Sequence, residues 1–400
     1  TRAYNIPDGV VQLVRVPKYK SAIFSGGLIC PPWDGSKGGI IAVYSQLRLT
    51  SVESIFASGT GFRGATGYSA ANAANNCGQN NYFYPATSQY AAFRGESIGS
   101  VSQNLIKGKG SLAGGGGGGN SHNSGGGGGG NGGSGGYGGY QSDSCANAPF
   151  DNRGIGGKSL QYNSTVNKIF MGSGGGAGHV DNASGLVPGG GNGGGIIIII
   201  TEDLEMTGED IAANGDEGRT CGALNCNDGS TGGGGGGTIL LSITQALSNI
   251  NIEAIGGKGA DVFDAVLPGG RAGPGGGGGG GVLSGTGNSL PANITFLADG
   301  GANGVIQQDA NNAWGATAGN SGVTNFNIVL PWDTVLFKSN IDSVRFTDTV
   351  NYCNNVRFKG LGFTNTFPVA FWQWYFGDGG TANTQNPIHN YNLVGNYNVK

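Results

Sequence analysis

The stretch RAGPGGGGGGGVL, residues 271–283, sets seven glycines in succession directly before an apolar pair. Glycine loses more backbone freedom on folding than any other residue, so such a run is either a mobile linker or a segment packed where no side chain fits. Runs of six glycines recur at Gly114–Gly119, Gly125–Gly130 and Gly232–Gly237. Because glycine contributes 86 of the 400 residues, the conformation of these runs decides the fold.

The composition excludes some classes of partner and predicts a buried core. Charged residues make up 11% of the chain and the net charge is −3, so we expect no basic face for nucleic acid and no polybasic membrane patch. No apolar stretch reaches the roughly 18 to 20 residues of a membrane helix. Ile196–Ile200 is a run of five isoleucines that would invite aggregation in a disordered chain. At least part of the chain is therefore expected to fold around a core.

The N-terminus and the cysteines give information on whether the protein is exported from the cell. The start, TRAYNIPDGV, lacks the basic and apolar regions of a signal peptide, so we expect that any export signal has been removed or was never present. The six cysteines form no C-x2-C pair, which argues against zinc. Cys221 and Cys226, in CGALNC, could form a local disulfide, and disulfides would fit an extracellular setting. Free buried thiols are the alternative.

Four segments share one pattern. Each opens with a glycine pair and a short apolar run, continues through a polar gap with a central Leu, and closes on an apolar residue, one position, Ala, one position and Gly. The period-two alternation predicts strands, and the recurring pattern predicts a stacked repeat in which each unit buries its apolar face on the next. The segments are GGIIAVYSQLRLTSVESIFASGTG (38–61), GGIIIIITEDLEMTGEDIAANGDEG (194–218), GGTILLSITQALSNINIEAIGGKG (236–259) and GGVLSGTGNSLPANITFLADGG (280–301).

These repeats predict an all-β, glycine-rich, β-solenoid-like domain over residues 1–333, with a large insertion over about 62–193. Two of the glycine runs fall inside repeat units, directly before strands, where a linker would not be expected. Polyglycine can form extended helices like polyproline II, with three residues per turn, and such helices can pack closely and hydrogen-bond sideways. We therefore predict packed polyglycine helices, with mobile surface loops as the alternative.

The GGGxGGxI openings and IxAxG closures resemble the glycine-rich segments of large bacterial surface proteins. They resemble, more loosely, the glycine-rich extracellular domain of some receptor tyrosine kinases.

The C-terminal stretch FWQWYFGDGGTANTQNPIHNYNLVGNYNVK, residues 371–400, predicts an aromatic strand and a tight turn. Alternation of Trp372, Trp374 and Phe376 predicts one buried aromatic face. In the turn GDGG, glycine accepts a positive φ, and the Asp378 side chain can accept backbone hydrogen bonds.

This stretch resembles the polycystic-kidney-disease (PKD) type domain, an immunoglobulin-like β-sandwich. The resemblance implies such a sandwich over residues 334–400, cut short at its C-terminal end, and structural roles for its aromatic and turn residues. Asp378 alone offers too few acidic ligands to predict calcium. The residues that carry the resemblance are Trp374, Phe376, Gly377, Asp378, Gly379, Asn386, Pro387, His389, Tyr391, Gly395, Tyr397 and Val399.

The sequence predicts no catalytic residue, no metal ligand and no cofactor. It has no HExxH motif, and GKGSLAG (108–114) lacks the frame of a phosphate-binding loop. The acid pairs Asp203/Glu205, Glu209/Asp210 and Asp216/Glu217 would serve a glycosidase only if the fold brought two carboxylates together in a cleft. We therefore expect a protein that is not an enzyme.

A binding role has more support. Residues 75–97 place Tyr82, Phe83, Tyr84 and Tyr90 among Asn, Gln and Ser, and aromatic rings with amide groups suit sugar or protein ligands. Trp33, in PPWDG, is a further candidate. The alternative is that these rings cover the end of the solenoid.

A glycine-rich solenoid followed by a PKD-type domain is similar in layout to the giant surface adhesins of gliding Bacteroidota-type bacteria, which are exported by the type IX system. The resemblance implies an extracellular, cell-surface adhesin with PKD-type domains as a stalk. Its partners would be a surface glycan or protein, other domains of the same chain, and secretion or motility machinery. A polysaccharide-degrading enzyme with a β-helix domain and a structural filament protein are the alternatives.

Overall fold

The described part of the chain is built from strands, turns and irregular segments, with no helix, which confirms the all-β prediction for these residues. The chain divides into two compact units, Thr1–Val329 and Leu330–Lys400. A computed structural model describes residues 11–69, 76–99, 102–160, 162, 168–181, 187–208, 210–220, 228–263, 271–286, 289–326, 328, 343–352, 355–363, 371–393 and 395–400.

The described residues of the first unit form two parallel β-sheets. Every pair of neighbouring strands in them runs in the same direction. Its strands are β1 (Lys18–Phe24), β2 (Leu28–Ile29), β3 (Ile40–Ser51), β4 (Ile55–Phe56), β5 (Ile196–Ile200), β6 (Asp203–Met206), β7 (Ile211–Ala212), β8 (Thr238–Ser242), β9 (Gln245–Ala246), β10 (Ile250–Glu253), β11 (Val282–Gly285), β12 (Ile294–Leu297) and β13 (Val323–Asn325).

The strand order follows the repeats. The first sheet has the order β13-β11-β8-β5-β3-β6-β9, with β1 also paired to β3, and the second has the order β12-β10-β7-β4-β2. The register joins equivalent positions of the four repeated segments. The first sheet aligns Ile41, Ile197, Ile239 and Leu283, and the second aligns Ile55, Ile211, Ile252 and Phe296.

Residues of both sheets contribute to one apolar core. Ile197, Ile199 and the central Leu204 of one repeat are fully buried in it, together with Ile211 of the second sheet. Burial of each side chain of this size stabilises the fold by about 1.5–3 kcal/mol. Most of the opposite face of β5 is also buried, which explains why its sequence is a continuous apolar run.

The run Gly275–Gly281 is buried and fully hydrogen-bonded. The N–H groups of Gly275, Gly278 and Gly281 donate to carbonyls of residues 254–260, at 2.7 to 2.9 Å. Those of Gly276 and Gly279 donate to residues 126–129, and those of Gly277 and Gly280 donate to residues 317–320. Every third N–H group thus donates to the same neighbouring segment, so the N–H groups of the run reach three segments.

A second run shows the same three-residue interval. Gly232 and Gly235 donate to residues 173–176, Gly233 and Gly236 to residues 276–279, and Gly234 and Gly237 to residues 213–216, at 2.7 to 3.0 Å. Gly114–Gly119 and Gly125–Gly130 are buried as well. These runs are therefore packed segments inside the unit and not mobile loops on its surface.

The second unit has an aromatic core. Phe358, Trp374, Phe376 and Tyr391 are buried in it, and Trp372 stacks on Trp374 with ring centroids 6.1 Å apart. Its strands are β14 (Ser343–Tyr352), β15 (Asn355–Phe363), β16 (Trp374–Tyr375), β17 (Thr381–Ala382) and β18 (Ile388–Asn390). Three of them form an antiparallel sheet in the order β14-β15-β18, and β16 pairs with β17.

Candidate binding surface

A disulfide and a buried lysine hold the aromatic segment predicted to bind a ligand. Cys77 is joined to Cys145, 68 residues away. Lys107 exchanges backbone hydrogen bonds with Tyr84, and its Nζ donates to the backbone carbonyl of Ser88 at 2.6 Å. The same Nζ lies 3.2 Å from the centroid of the Tyr68 ring. Burial of Lys107 lowers the pKa of its ammonium group to about 8.

Tyr82 and Phe83 are the exposed rings of this segment. They are 54% and 48% exposed, and their centroids lie 6.4 Å apart. A buried cation packs against each ring: Lys109 Nζ is 5.0 Å from the centroid of Tyr82, and Arg94 Cζ is 5.0 Å from that of Phe83. Burial lowers the pKa of both cations, that of Arg94 to about 10. Cation–π attraction therefore holds the two rings on a rigid base.

The other predicted binding residues do not join this pair. Tyr84 is buried, and its ring lies 6.4 Å from that of the half-buried Tyr90. Trp33 is half-buried, packs edge-on against Phe62, and its Nε1 donates to Glu96 at 3.3 Å. Tyr84 and Trp33 therefore pack against the chain itself, and the exposed ring surface reduces to Tyr82 and Phe83.

A second aromatic group was not predicted from the sequence. Arg153 Cζ lies 4.7 Å from the ring of Tyr137 and 4.5 Å from that of Tyr140, and the Tyr140 ring packs edge-on against Trp314. Arg271 covers Trp314 at 5.1 Å. The spacing in GGYGGY could have indicated that Tyr137 and Tyr140 belong together, because residues three apart in these glycine-rich segments face the same side.

A group of buried polar residues contacts the aromatic segment predicted to bind a ligand at the carbonyl of Gln89. The backbone N–H of Asn123 donates to Nδ1 of His179 at 3.3 Å, and Nε2 of His179 faces the carbonyl of Gln89 at 3.2 Å. One acceptor and one donor nitrogen require the neutral ring. Burial lowers the pKa of His179 to about 4, although Asp181, paired with His122 at 2.6 Å, favours the charged form.

Acidification from pH 6.5 to 4 is expected to destabilise the first unit. The unfolded chain takes up a proton on His179 in this range and the folded chain does not. Stability therefore decreases as the pH is lowered from 6.5, and the decrease levels off near the folded pKa of about 4. The expected loss from this residue is about 3 kcal/mol in the free energy of unfolding. Urea unfolding across this range measures it. His179→Gln, which retains a donor and an acceptor, should reduce the pH dependence, and an unchanged dependence would contradict this assignment.

The predicted structural residues of the second unit lie around one turn. Asp378 Oδ2 is 2.7 Å from Nε2 of His389, and Asp378 Oδ1 accepts from the backbone N–H of Gly380 at 2.9 Å. The hydrogen bond from His389, followed by that from Gly380, lowers the pKa of Asp378. The Tyr391 hydroxyl donates to the carbonyl of Phe376 at 3.1 Å.

Within the described residues, no three His, Cys, Asp or Glu side chains come together as a metal site would require. That same part of the chain has no helix that is long and apolar enough to cross a membrane. The predicted pair Cys221 and Cys226 lies outside the described residues.

Residues 340–400 match the family of PKD domains, which confirms the PKD-type prediction for this part of the chain and implies an immunoglobulin-like fold there. PKD domains are typical of extracellular proteins. Comparison with curated proteins and with solved structures gave no match.

Proposed function

We propose that this chain is the distal part of a large secreted cell-surface adhesin, without catalytic activity, which binds a surface glycan or a partner protein. The observation that carries the proposal is the Tyr82–Phe83 pair. Both rings are exposed, and each is held in place by a buried cation. Rings fixed in this way lose little conformational entropy when a ligand binds.

Two features support an extracellular location. The disulfide between Cys77 and Cys145 fits an oxidising compartment, and the PKD match is consistent with the stalk domain of an adhesin. The resemblance to Bacteroidota-type gliding adhesins adds the type IX system and the motility machinery as proposed partners, beside other domains of the same chain.

The proposed architecture has two domains. Residues 1–333 would be the β-solenoid-like domain that presents the binding surface, and residues 334–400 the first PKD-type domain of the stalk. The register between repeats supports the solenoid. The three-residue interval of the hydrogen bonds supports polyglycine helices, because polyproline II has three residues per turn.

The double variant Tyr82→Ala/Phe83→Ala is expected to lose at least tenfold in affinity for its ligand. Loss of the two rings removes about 1–3 kcal/mol of contact energy with the ligand beyond the buried area. Binding of the labelled chain to a printed glycan array and to a panel of immobilised secreted proteins measures this loss.

The matched control is Tyr19→Ala/Phe56→Ala, which removes two exposed rings from strands β1 and β4. It should bind as the unchanged chain does. Equal losses in both variants, or an unchanged affinity in Tyr82→Ala/Phe83→Ala with the same melting temperature, would contradict the assignment of the surface.

A polysaccharide-degrading enzyme is the second candidate. One surface groove is lined by Glu202, Asp203 and Glu205, so the acids of one repeat share an outer face. Arg48 lies 3.6 Å from Asp203, and Thr50 donates to Glu205 at 3.0 Å. Release of sugars from a polysaccharide panel would favour this candidate, and binding without release would favour the adhesin.

A further inference from the structure

We propose that Tyr82, Phe83 and Tyr137 form a single surface, the ring row, which binds a neutral linear glycan. Tyr82–Phe83 is one subsite of this surface, and Tyr137 is a second subsite farther along the same ligand. The proposal rests on the proposed function, and it names both the ligand class and a residue outside the segment predicted to bind.

An unbroken series of contacts connects the two subsites. Lys109, which packs against Tyr82, donates from Nζ to the backbone carbonyl of Asp151 at 2.7 Å. Nε of Arg153 donates to Oδ1 of Asp151 at 2.9 Å, and the guanidinium of Arg153 packs on the ring of Tyr137. The two exposed ring groups are therefore connected through Lys109, Asp151 and Arg153, although they are 54 positions apart in the sequence.

Tyr137 is held as firmly as the first subsite. Its N–H donates to Oγ1 of Thr317 at 2.8 Å, and its carbonyl accepts from the N–H of Thr317 at 2.9 Å. Gly136 and Gly138 on either side are buried. The backbone of Tyr137 is thus fixed inside the packed glycine segments, while its ring is 41% exposed. A fixed backbone with an exposed ring is preorganised for contact with a ligand.

The cations beneath the rings are largely buried: Arg94 and Lys109 are each 6% exposed. Lys109 donates to the side chain of Asn80 and to the carbonyl of Asp151, and Arg153 pairs with Asp151 and donates from Nη1 to the carbonyl of Gly315 at 2.6 Å. A ligand with carboxylate or sulfate groups would have to compete for these cations. A neutral ligand meets no such cost.

The groups left at the surface match a sugar chain. Exposed Asn80, Asn81 and Thr317 lie beside the rings, and amide and hydroxyl groups can exchange hydrogen bonds with sugar hydroxyls. The ring faces can cover the C–H faces of pyranose units. A stable protein interface would need a larger contiguous apolar centre than separate rings among polar groups provide.

The length of the glycan distinguishes one subsite from two. The probes are β-1,4-glucan and β-1,4-mannan hexasaccharides, the corresponding disaccharides, and a hexasaccharide of galacturonic acid, each titrated against the full 400-residue chain by calorimetry. We expect a neutral hexasaccharide to bind more tightly than its disaccharide. Tyr137→Ala should weaken the hexasaccharide about tenfold and leave the disaccharide unchanged.

Two controls isolate the ring of Tyr137. Tyr137→Phe retains the ring and should retain the affinity for the hexasaccharide. Tyr19→Ala removes a comparably exposed ring from strand β1 and should also bind as the unchanged chain does. Equal melting temperatures for all variants confirm that they are folded.

Three results would overturn the ring row: an unchanged hexasaccharide affinity in Tyr137→Ala, preferential binding of the galacturonic acid hexasaccharide, or no binding of any neutral probe. The proposed function can survive each of them. If Tyr82→Ala/Phe83→Ala abolishes binding to an immobilised protein while no neutral oligosaccharide binds, the adhesin remains supported and the glycan surface is rejected.

Discussion

Gly278→Val is expected to destabilise the first unit by about 4 kcal/mol or more. A Cβ at Gly278 would lie 1.9 Å from the carbonyl oxygen of Gly234 and 2.6 Å from its carbonyl carbon, and both atoms belong to another packed backbone segment. That segment cannot move aside alone, because its own N–H groups are bonded to further segments. The melting temperature should fall by about 5 °C or more.

Gly26→Val provides the control, because a Cβ at Gly26 meets no atom within 4 Å. It should change the melting temperature by little. An unchanged melting temperature in Gly278→Val would mean that the run around it is a loosely held linker, which would contradict the burial and the hydrogen bonds described above.

Removal of the disulfide with Cys77→Ser/Cys145→Ser is expected to cost about 4 kcal/mol. The bond closes a loop of 68 residues, and the loss of loop entropy in the unfolded chain grows slowly with loop length. The loop contains the Tyr82–Phe83 pair, so ligand affinity should decrease together with stability. Chemical unfolding with and without a reducing agent measures the first effect.

The part of the response to the reducing agent that the double serine variant lacks should equal the difference in stability between that variant and the unchanged chain. Cys30→Ser is the control, since Cys30 is a free thiol and its loss should leave the response to reduction intact. Equal stability of the oxidised and reduced forms would contradict a structural role for the bond.

The parallel sheets could be anticipated because their signal is local and repeated. Ile55, Ile211 and Ile252 occupy the same place in their segments, and the structure pairs them directly. A strand in a stacked repeat meets its own equivalent, so sequence alignment and spatial register coincide. The signal for the aromatic core of the second unit was also local, because Trp374 and Phe376 alternate along the chain and both are buried.

Only part of the proposed ligand surface could be predicted from the sequence, because the side chains that support its rings are not local. Tyr82 and Phe83 stand out in the sequence, but the cations beneath them come from positions 94 and 109, and no spacing rule relates such positions. Tyr84 follows Phe83 directly and lies in the same polar stretch of sequence, yet its ring is buried. Its backbone hydrogen bonds with Lys107 hold it against the chain, and no local pattern predicts that pairing. The sequence could not predict that Cys77 pairs with Cys145 either, because the pairing of distant cysteines depends on the path of the whole insertion.

The hydrogen bonds of Gly275–Gly281 also determine how the first unit responds to mechanical force. Seven consecutive N–H groups donate to three neighbouring segments, so the bonds radiate outwards from the run. A pull along the run therefore loads all of them together in shear, whereas peeling a hairpin breaks its bonds one after another. Bonds that share a load fail at a higher force than bonds loaded in turn, so the packed glycine segments resist extension along their length.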